Sequence, residues 1–392
     1  MVISMSLEEF ETLTRKMLII TVGSSASIHL LGNMAEKYPD LLFRNKIMII
    51  ETSKKCLGDA INHLAYIYHS HYATSKGKKP EDQRKGFPTS MFKGELKRNS
   101  ILLAEHGGAT TPELGLSYYN AKRKEVIDKI ASLVHEENEE KEVTGIVILG
   151  ASGKGTGTLI TPALARDIMD RGDLPKPFAF VTLPFRFEKT AILNCGKLIE
   201  SIKSVPVFVL DYERALGMHI YLTGEAIEKN IPIVRLWDRV VEALSKTLST
   251  FIEALNLSTK CNPPMDWSDI TRILTPGYVG TVAYTFRAAK DDFLKYWSND
   301  ISTLLLLRTK TRPSSTSVIT VIRGVEIPLD VPRNIEKFYS KTFNAKTHDY
   351  FILEHGQGYT IVSLIFGFNP SDITPPVTIG RSLIDRFLSL VS

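Results

Sequence analysis

The chain has 392 residues, of which 43% are apolar, and its formal net charge is +5 at neutral pH. This length predicts two packed domains of a globular protein. No apolar run is long enough to cross a bilayer, the first 16 residues carry acidic side chains where a secretory signal would carry basic ones, and the three cysteines lack metal-ligand spacing. We therefore expect a cytoplasmic protein with no dedicated metal site.

Six apolar runs predict buried strands at residues 18–22, 46–50, 101–104, 146–149, 178–182 and 205–210. Most of these runs are continuous rather than alternating, and helix-like segments separate them, which is typical of a parallel sheet covered on both faces. The sequence therefore predicts an α/β fold with a doubly wound, mostly parallel sheet. Ligands collect at the carboxyl ends of the strands in such sheets, so the residues that follow each run form one candidate site.

A basic segment separates the second and third runs. Residues 76–98 carry eight cations and three anions. Such a segment can contact an acidic partner, a membrane surface or nucleic acid. Because no aromatic stacking pattern accompanies the charges, we interpret the segment as a solvated connection and expect no nucleic-acid partner.

The fourth run leads directly into a glycine-rich turn, and residues 146–158 read IVILGASGKGTGT. The glycines of this glycine loop, residues 150–158, leave backbone N–H groups free to turn towards an anion, and a helix predicted over 160–169 would present its N-terminus beneath them. The turn is not a Walker loop, because Lys154 is followed by Gly155, and it contains no G-x-G-x-x-G. We predict that the glycine loop binds phosphate.

A long amphipathic helix over residues 236–256 would connect two halves of the chain, since its apolar residues recur at helical spacing. Beyond it, a strand at 317–322, a helix over 333–342 and two strands at 350–353 and 359–368, interpreted as a hairpin, indicate an α+β domain. We therefore divide the chain into a first domain (1–232), a central helix (233–258) and a C-terminal α+β domain (259–392).

Five motifs, in the same order along the chain, resemble those of the tubulin/FtsZ superfamily, and of divergent archaeal-type FtsZ and CetZ proteins in particular. Residues 153–159, GKGTGTL, resemble its phosphate loop GGGTGTG, and residues 184–188, PFRFE, match its Pro-Phe-x-Phe-Glu motif. Residues 107–115, GGATTPELG, are similar to its third-strand loop, and residues 51–54, ETSK, to its second-strand Asn-Thr-Asp loop. Residues 265–270, MDWSDI, resemble its Asn-x-Asp-x-x-Asp catalytic loop.

The resemblance implies a GTP-dependent, filament-forming GTPase whose subunits associate head to tail into protofilaments, alone or with other FtsZ-like proteins. GTP or GDP, with Mg²⁺, would bind the strand-end loops, where Glu188 would hold the ribose and Trp237 would stack on the base. Asp266 and Asp269 would orient the attacking water in the site of the next subunit. The residues that the resemblance assigns to nucleotide binding are Gly23, Ser24, Ser25, Thr52, Gly107, Gly108, Ala109, Thr110, Thr111, Gly153, Lys154, Gly155, Thr156, Gly157, Thr158, Glu188, Asp211 and Trp237.

Several positions differ from the family pattern. Ser27 stands where FtsZ has the Asn that contacts the base, and Val241, followed by Glu242, stands where an acid or Asn is expected after the stacking aromatic. Pro264 replaces the Asn of the catalytic loop, and the arginine expected after the Pro-Phe-x-Phe-Glu motif is missing. The linker and terminal anchor peptide of FtsZ have no counterpart, so we expect a specialised filament rather than a cell-division ring.

These differences leave other functions open. One is a relative that binds nucleotide without hydrolysing it, and another is a regulator that caps FtsZ-type filaments. A third is an unrelated α/β enzyme, for which the sequence offers no His/Ser or metal constellation. Taken alone, Asp266 and Asp269 also fit a helix N-cap with a first-turn acid. Identification of the nucleotide that co-purifies with the protein discriminates between these alternatives.

Overall fold

The computed structural model describes residues 16–75, 89–104, 111–135, 143–185, 188–225, 232–257, 261–264, 266–303, 305–354 and 358–373. Within these residues the strands are β1 (Lys16–Val22), β2 (Lys46–Glu51), β3 (Ile101–Leu102), β4 (Val143–Ala151), β5 (Pro177–Leu183), β6 (Phe208–Asp211), β7 (Val279–Arg287), β8 (Thr316–Arg323), β9 (Ala345–Leu353) and β10 (Tyr359–Phe368). Each of the six predicted runs overlaps one of the strands β1 to β6.

The helices are α1 (Gly32–Lys37), α2 (Asp40–Arg44), α3 (Lys54–Ser75), α4 (Thr89–Asn99), α5 (Pro112–Val134), α6 (Gly155–Met169), α7 (Lys189–Ser201), α8 (Tyr212–Thr223), α9 (Ile233–Asn256), α10 (Trp267–Thr271), α11 (Lys290–Thr303) and α12 (Asp330–Phe343). A π-helix, Ser25–Leu31, precedes α1. None of the described helices combines the length and apolar character of a membrane span. Residues 76–88 of the basic segment lie outside the described residues.

The strands form one sheet in the order β3-β2-β1-β4-β5-β6-β7-β10-β8-β9. Neighbours from β3 to β7 in this order are parallel. β10 runs antiparallel to both β7 and β8, and β9 lies parallel to β8 at the edge. The predicted α/β fold with a mostly parallel sheet is confirmed.

Both faces of the sheet are buried. Along β1, Met17 and Ile19 belong to one apolar cluster, and Leu18 and Ile20 belong to another. Side chains of α3 and α9 complete the first cluster, and side chains of α5, α6 and α7 complete the second. This burial on two sides explains why the strands are continuous apolar runs in the sequence, and it leaves the strand ends as the accessible places for a ligand.

The predicted hairpin of residues 350–353 and 359–368 is wrong. Both segments are strands, but β8 lies between them in the sheet. β8 and β9 are parallel and are joined through α12, because a parallel pair needs a crossover connection. β10 lies between β7 and β8 and pairs with both of them. β10 therefore does not pair with β9, although only a short connection joins the two strands in sequence.

The sheet continues across the predicted domain boundary at residue 232. β6 and β7 pair at Phe208 and Gly280, and the Gly280 N–H donates to the Val207 carbonyl at 2.9 Å. The central helix α9 lies between these strands in sequence and packs on the same apolar cluster as both halves. The division into residues 1–232, 233–258 and 259–392 stays a prediction.

Candidate functional site

Three strand-end loops meet at Thr156, in the first turn of α6, which follows β4. The Thr156 hydroxyl lies 2.8 Å from the hydroxyl of Thr52, which follows β2. Gly23, which follows β1, has a φ of +88° and donates its N–H to the Ile50 carbonyl at 2.9 Å. A Cβ atom added to Gly23 would lie 3.5 Å from the Thr156 Cβ. The structure therefore brings Gly23, Thr52 and Thr156 together.

The glycine loop contains the N-terminus of α6. The helix starts at Gly155 rather than at the predicted residue 160, because Lys154 has extended backbone angles and forms the N-cap. The first N–H groups, from Gly155, Thr156 and Gly157, have no acceptor within the helix, and the helix dipole adds partial positive charge there. Gly157 allows close packing, since a Cβ there would lie 2.2 Å from the Ala151 carbonyl oxygen. This arrangement suits an anion.

Thr158 holds the glycine loop together. Its hydroxyl accepts the Gly153 N–H at 3.0 Å and donates to the Lys154 carbonyl at 2.6 Å. Asn194 of α7 donates to the Gly153 carbonyl at 3.1 Å, which ties the loop to a second helix. Because Thr158 is fully buried and its hydroxyl is used within the loop, it stabilises the turn.

Glu51 is a buried acid at the centre of the site and is not among the predicted site residues. Its Oε1 accepts the Thr52 N–H at 2.7 Å, and the hydroxyls of Thr52 and Thr156 lie 3.3 and 3.4 Å away. The exposed fraction of Glu51 is 3%, and its Oε2 has no hydrogen-bond partner among the described residues. A buried carboxylate oxygen without a partner is unfavourable, and a positive charge bound beside it would stabilise it. The sequence signal that could have identified Glu51 is an acidic residue directly after a buried apolar run, at the carboxyl end of a strand.

Glu188 and Lys154 lie at the opening of the glycine loop. The Glu188 Oε2 accepts the Phe185 N–H at 2.9 Å. Burial raises the pKa of the Glu188 carboxyl, and the charge of Lys154 lowers it. Lys154 is exposed, so its ammonium group lies at the surface within electrostatic reach of Glu188.

Trp237 and Asp211 make packing and capping contacts. The half-buried Trp237 ring meets Phe185 and Tyr212 edge to face, with centroids 5.3 and 4.7 Å apart. These contacts join the Pro-Phe-x-Phe-Glu motif to the start of α9. Asp211 is the N-cap of α8 and accepts the Glu213 N–H at 2.8 Å, which gives Asp211 a structural role beside its predicted one.

The remaining residues that were predicted to contact nucleotide lie in the segments that follow β1 and β3. Gly107, Gly108, Ala109 and Thr110 lie outside the described residues. Thr111, which follows them, is the N-cap of α5, and its hydroxyl accepts the N–H of the helix's first turn at 3.4 Å. The half-buried residues Ser24 and Ser25 lie at the start of the π-helix, a type of turn that is frequent at functional sites.

The two predicted catalytic acids form a helix cap. Asp266 is the exposed N-cap of α10, and its N–H donates to the Asp269 carboxylate at 3.4 Å in a capping box. This geometry agrees with the structural interpretation of the pair. It does not oppose a catalytic one, because a carboxylate has two oxygens and accepts several hydrogen bonds.

The acid segment, residues 266–269, lies at the opposite end of the sheet from the glycine loop. Trp267 packs on Gly145, near the start of β4, and its indole N–H donates to the Lys176 carbonyl before β5 at 3.0 Å. The glycine loop follows the other end of β4. At about 3.3 Å per residue, the strand from Gly145 to Ala151 spans about 20 Å. The acids therefore do not reach the glycine loop of their own chain.

A cavity of about 560 Å³ opens elsewhere, between α5, α6 and α7. Its buried acid, Asp167, accepts the Tyr119 hydroxyl at 2.6 Å and pairs with Arg123. The charge of Asp167 is thus balanced within the protein. All of the lining residues belong to these three helices, so the cavity is separate from the strand-end loops.

Comparison with solved structures decides the fold. CetZ2 from Haloferax volcanii, in a GTPγS-bound protofilament, matches with a TM-score of 0.63 and 14% identity over 96% of this chain and 97% of that chain. An FtsZ dimer from M. jannaschii matches with a TM-score of 0.57 and 16% identity, covering 92% and 90%. TubZ of Clostridium botulinum phage c-st matches with a TM-score of 0.52 and 11% identity, covering 96% of each.

The chain has the tubulin/FtsZ fold. The predicted resemblance is confirmed for the fold, over nearly the whole chain. No family model matches the sequence, and no curated protein matches it. The similarity is therefore one of fold, at 11–16% sequence identity.

Within this tubulin/FtsZ fold, the three positions that differ from the family's base contacts use their side chains for contacts inside the protein. Ser27 is fully buried, and its hydroxyl lies 2.7 Å from that of Thr21. Val241 is buried in the core, and Glu242 pairs with Lys37 of α1 at 2.9 Å. The polar groups of Ser27 and Glu242 therefore have partners within the described residues, and Val241 is apolar.

His29 and Asp238 lie near the glycine loop residue Lys154 and carry no motif signal. His29 belongs to the π-helix, and Asp238 follows the predicted stacking residue Trp237. Burial and the charge of Lys154 lower the pKa of His29, and the charge of Asp238 raises it. The two side chains are therefore within electrostatic reach of each other and of the glycine loop.

Proposed function

We propose that this protein is a filament-forming GTPase that hydrolyses GTP at a site shared by two head-to-tail subunits. The observation that carries the proposal is the convergence of Gly23, Thr52 and Thr156 at the N-terminus of α6, together with two acids at the opposite end of the same sheet. A heterologous interface that does not close generates a filament, and such stacking joins opposite ends. The GTPγS-bound protofilament of CetZ2, which has the same fold, supports this arrangement.

Phosphate binding uses the helix terminus. The N–H groups at the start of α6 and the Thr156 hydroxyl donate to phosphate oxygens, and Lys154 adds a cation at the opening. Glu188 accepts hydrogen bonds from the ribose, and Trp237 supplies an aromatic face to the base. Because the phosphate side resembles the family more closely than the base side, we expect comparable affinities for GTP and ATP.

Glu51 fits a role in holding Mg²⁺. Its buried Oε2 lacks a partner among the described residues, and the hydroxyls of Thr52 and Thr156 lie beside its Oε1. Mg²⁺ in nucleotide sites is held by one or two carboxylates together with substrate phosphates, and it neutralises phosphate charge. Glu51 would therefore contribute the protein ligand, and the phosphates would complete the contact.

Hydrolysis requires the neighbouring subunit. Asp266 and Asp269 of the subunit stacked on the nucleotide orient the attacking water and accept its proton. The N–H groups of α6 stabilise the charge that develops on the phosphate oxygens. Turnover is then a property of the filament and not of the monomer.

Turnover measured against protein concentration tests the proposal. We expect phosphate release per molecule to rise steeply above the concentration at which sedimentation first detects polymer. The nucleotide that co-purifies with the protein is identified in the same preparation. Turnover per molecule that stays constant down to concentrations without polymer or dimer contradicts the shared site.

A second candidate is a nucleotide-binding protein that caps FtsZ-type filaments and does not hydrolyse. The capping box between Asp266 and Asp269 favours it, because both acids already have a structural use. Pro264, in place of the family's Asn, is a further difference beside them. Nucleotide binding without turnover at any concentration, combined with shorter FtsZ filaments in its presence, supports this candidate over the first.

A further inference from the structure

Trp267 lies between the two acids in sequence and is held against the nucleotide-binding half of the sheet. Its exposed fraction is 9%, and its ring meets Phe178 of β5 edge to face with centroids 5.2 Å apart. A Cβ atom added to Gly145 of β4 would lie 2.5 Å from the indole. The indole N–H donates to the Lys176 carbonyl at 3.0 Å. The ring thus occupies a space that a side chain at residue 145 would fill.

The segments on either side of α10 contact the other half of the sheet. Asn262 exchanges two backbone hydrogen bonds with Ile352 of β9, at 2.8 and 3.0 Å. Arg272, which ends α10, pairs with Asp349 of the same strand. Trp267 therefore ties the acid segment to β4 and β5, while its flanks are tied to β9. A helix of five residues is too short to fix its own orientation, so these contacts determine where the acids lie.

We infer that Trp267 is a positioning residue for hydrolysis, which fixes the acid segment to the strand whose other end carries the glycine loop. The inference rests on the proposed function. β4 is buried along most of its length and is paired with β1 and β5, so it sets the distance between the acids of a subunit and its own phosphate end. In a stack of identical subunits, that distance determines how the acids meet the phosphates of the next subunit. A misplacement of about 1 Å can cost about a hundredfold in rate.

The Gly145→Ala variant tests the inference without altering an acid or the glycine loop. The new methyl group collides with the indole, so we expect turnover per polymerised subunit to fall at least about tenfold while the nucleotide Kd of the monomer changes less than about twofold. Gly172→Ala is the matched control, because a Cβ at Gly172 meets nothing within 4 Å. We expect this control to behave as wild type.

A smaller ring should restore activity. Trp267→Phe alone loses the hydrogen bond to Lys176 but keeps an aromatic side chain against Gly145. In the double variant Gly145→Ala/Trp267→Phe, the smaller phenyl ring lacks the Cε3 and Cζ3 atoms, two of the three indole atoms that the methyl group would meet, so turnover should recover to at least about half that of Trp267→Phe alone. A general loss of stability would not be reversed in this way. Should Gly145→Ala not fold, Trp267→Leu carries the same comparison against Trp267→Phe.

The position of the ring can be measured independently of hydrolysis by fluorine NMR of protein labelled with 5-fluorotryptophan. The chain has three tryptophans, so three resonances are expected. The resonance that Trp267→Phe removes should shift in Gly145→Ala and stay in place in Gly172→Ala. A shifted resonance with unchanged turnover per polymerised subunit overturns the positioning role and leaves the proposed function intact. An unshifted resonance overturns the anchor itself. Absence of turnover in the wild-type protein at every concentration overturns the proposed function and the inference together.

Discussion

At the scale of single residues, a buried carboxylate beside a phosphate site creates a charge conflict. The Oε1 atom of Glu51 accepts hydrogen bonds from Thr52 and Thr156, and its Oε2 atom is buried with no partner among the described residues. Two like charges about 4 Å apart repel by about 4 kcal/mol at an effective dielectric constant of 20. A divalent cation between them reverses the sign of this interaction. The role of Glu51 is therefore visible in how nucleotide affinity depends on Mg²⁺.

We expect the wild-type protein to bind GTP at least about tenfold more tightly with Mg²⁺ than in EDTA, since the cation removes the repulsion from Glu51. Glu51→Gln keeps the shape and loses the charge, so its affinity should depend on Mg²⁺ much less. Isothermal titration calorimetry measures both. Glu253→Gln is the control, because Glu253 is a half-buried acid on α9 that pairs with Arg323 of β8 at 2.8 Å and belongs to none of the nucleotide motifs. Equal Mg²⁺ dependence in all three proteins contradicts the role of Glu51.

Thr156 and Thr158 lie two residues apart, and we expect substitutions at the two positions to have different effects on nucleotide affinity and on Tm. Thr156→Ala removes the contacts to Thr52 and Glu51, so nucleotide affinity should fall by about 1 kcal/mol, roughly fivefold, with little change in Tm. Thr158→Val leaves the buried Gly153 N–H without an acceptor, and we expect a clear loss of Tm as well. Thermal unfolding with and without GTP separates the two effects. If Thr156→Ala lowers the Tm and Thr158→Val does not, the assignment of ligand binding to Thr156 and of loop stability to Thr158 is wrong.

The sequence predicted which loops meet, but not what each side chain does there. Gly23, Thr52 and Thr156 were predicted from motifs, because strand ends converge in any doubly wound sheet. The inward orientation of Ser27 was not predictable, since the bond to Thr21 depends on the π-helix that follows β1. The internal use of Thr158 depends likewise on where α6 begins.

At the scale of elements, local patterns predicted the strands and not their partners. Most of the strands β1 to β6 are buried on both faces, so most are continuous apolar runs. The antiparallel position of β10 between β7 and β8 depends on which sheet edge is open after α12 crosses over, and no local signal encodes that. Neither β7 nor α11 is among the predicted elements.

The edge strand β9 carries a histidine that should make stability depend on pH. Burial lowers the pKa of His348 from 6.5 to about 4, and its Nε2 lies 3.0 Å from the Thr320 hydroxyl. The folded chain therefore keeps His348 neutral while the unfolded chain takes up a proton as the pH falls below 6.5, so the contribution is complete above pH 6.5 and is lost towards pH 4. Asp349, the adjacent acid, opposes this shift.

We expect the wild-type free energy of unfolding to fall by about 2 kcal/mol more than that of His348→Gln between pH 7 and pH 5. The glutamine can still bond to Thr320 and does not titrate in this range. Urea unfolding followed by circular dichroism at the two pH values gives the difference. If the free energy of unfolding falls equally in the two proteins, the folded chain does not lower the pKa of His348.

At the scale of the whole molecule, the decisive feature is the separation of the glycine loop from the acid segment. Trp267 on Gly145 and the glycine loop beyond Ala151 lie at opposite ends of β4. The helix α9, which begins beside Trp237 and precedes the acid segment, adds to this separation, because its 24 residues span about 36 Å at 1.5 Å per residue. The anchor of Trp267 was not predictable, because its partner Gly145 lies more than a hundred residues away in sequence and has no side chain to form a pattern.

The separation predicts complementation between two inactive proteins. Asp269→Ala keeps the glycine loop and lacks an acid, whereas Gly157→Ala keeps both acids and has a methyl group where the Ala151 carbonyl lies 2.2 Å away. In mixed filaments, a junction is productive when the glycine loop of the first protein meets the acids of the second. For random head-to-tail order this holds for about a quarter of junctions at equal amounts, so turnover should reach up to about a quarter of the wild-type value and vary with the product of the two fractions. Malachite-green phosphate assays across mixing ratios, with sedimentation to verify co-assembly, measure it. Turnover that is the simple sum of the two proteins at every ratio, despite co-assembly, means that the acids act within their own chain or not at all.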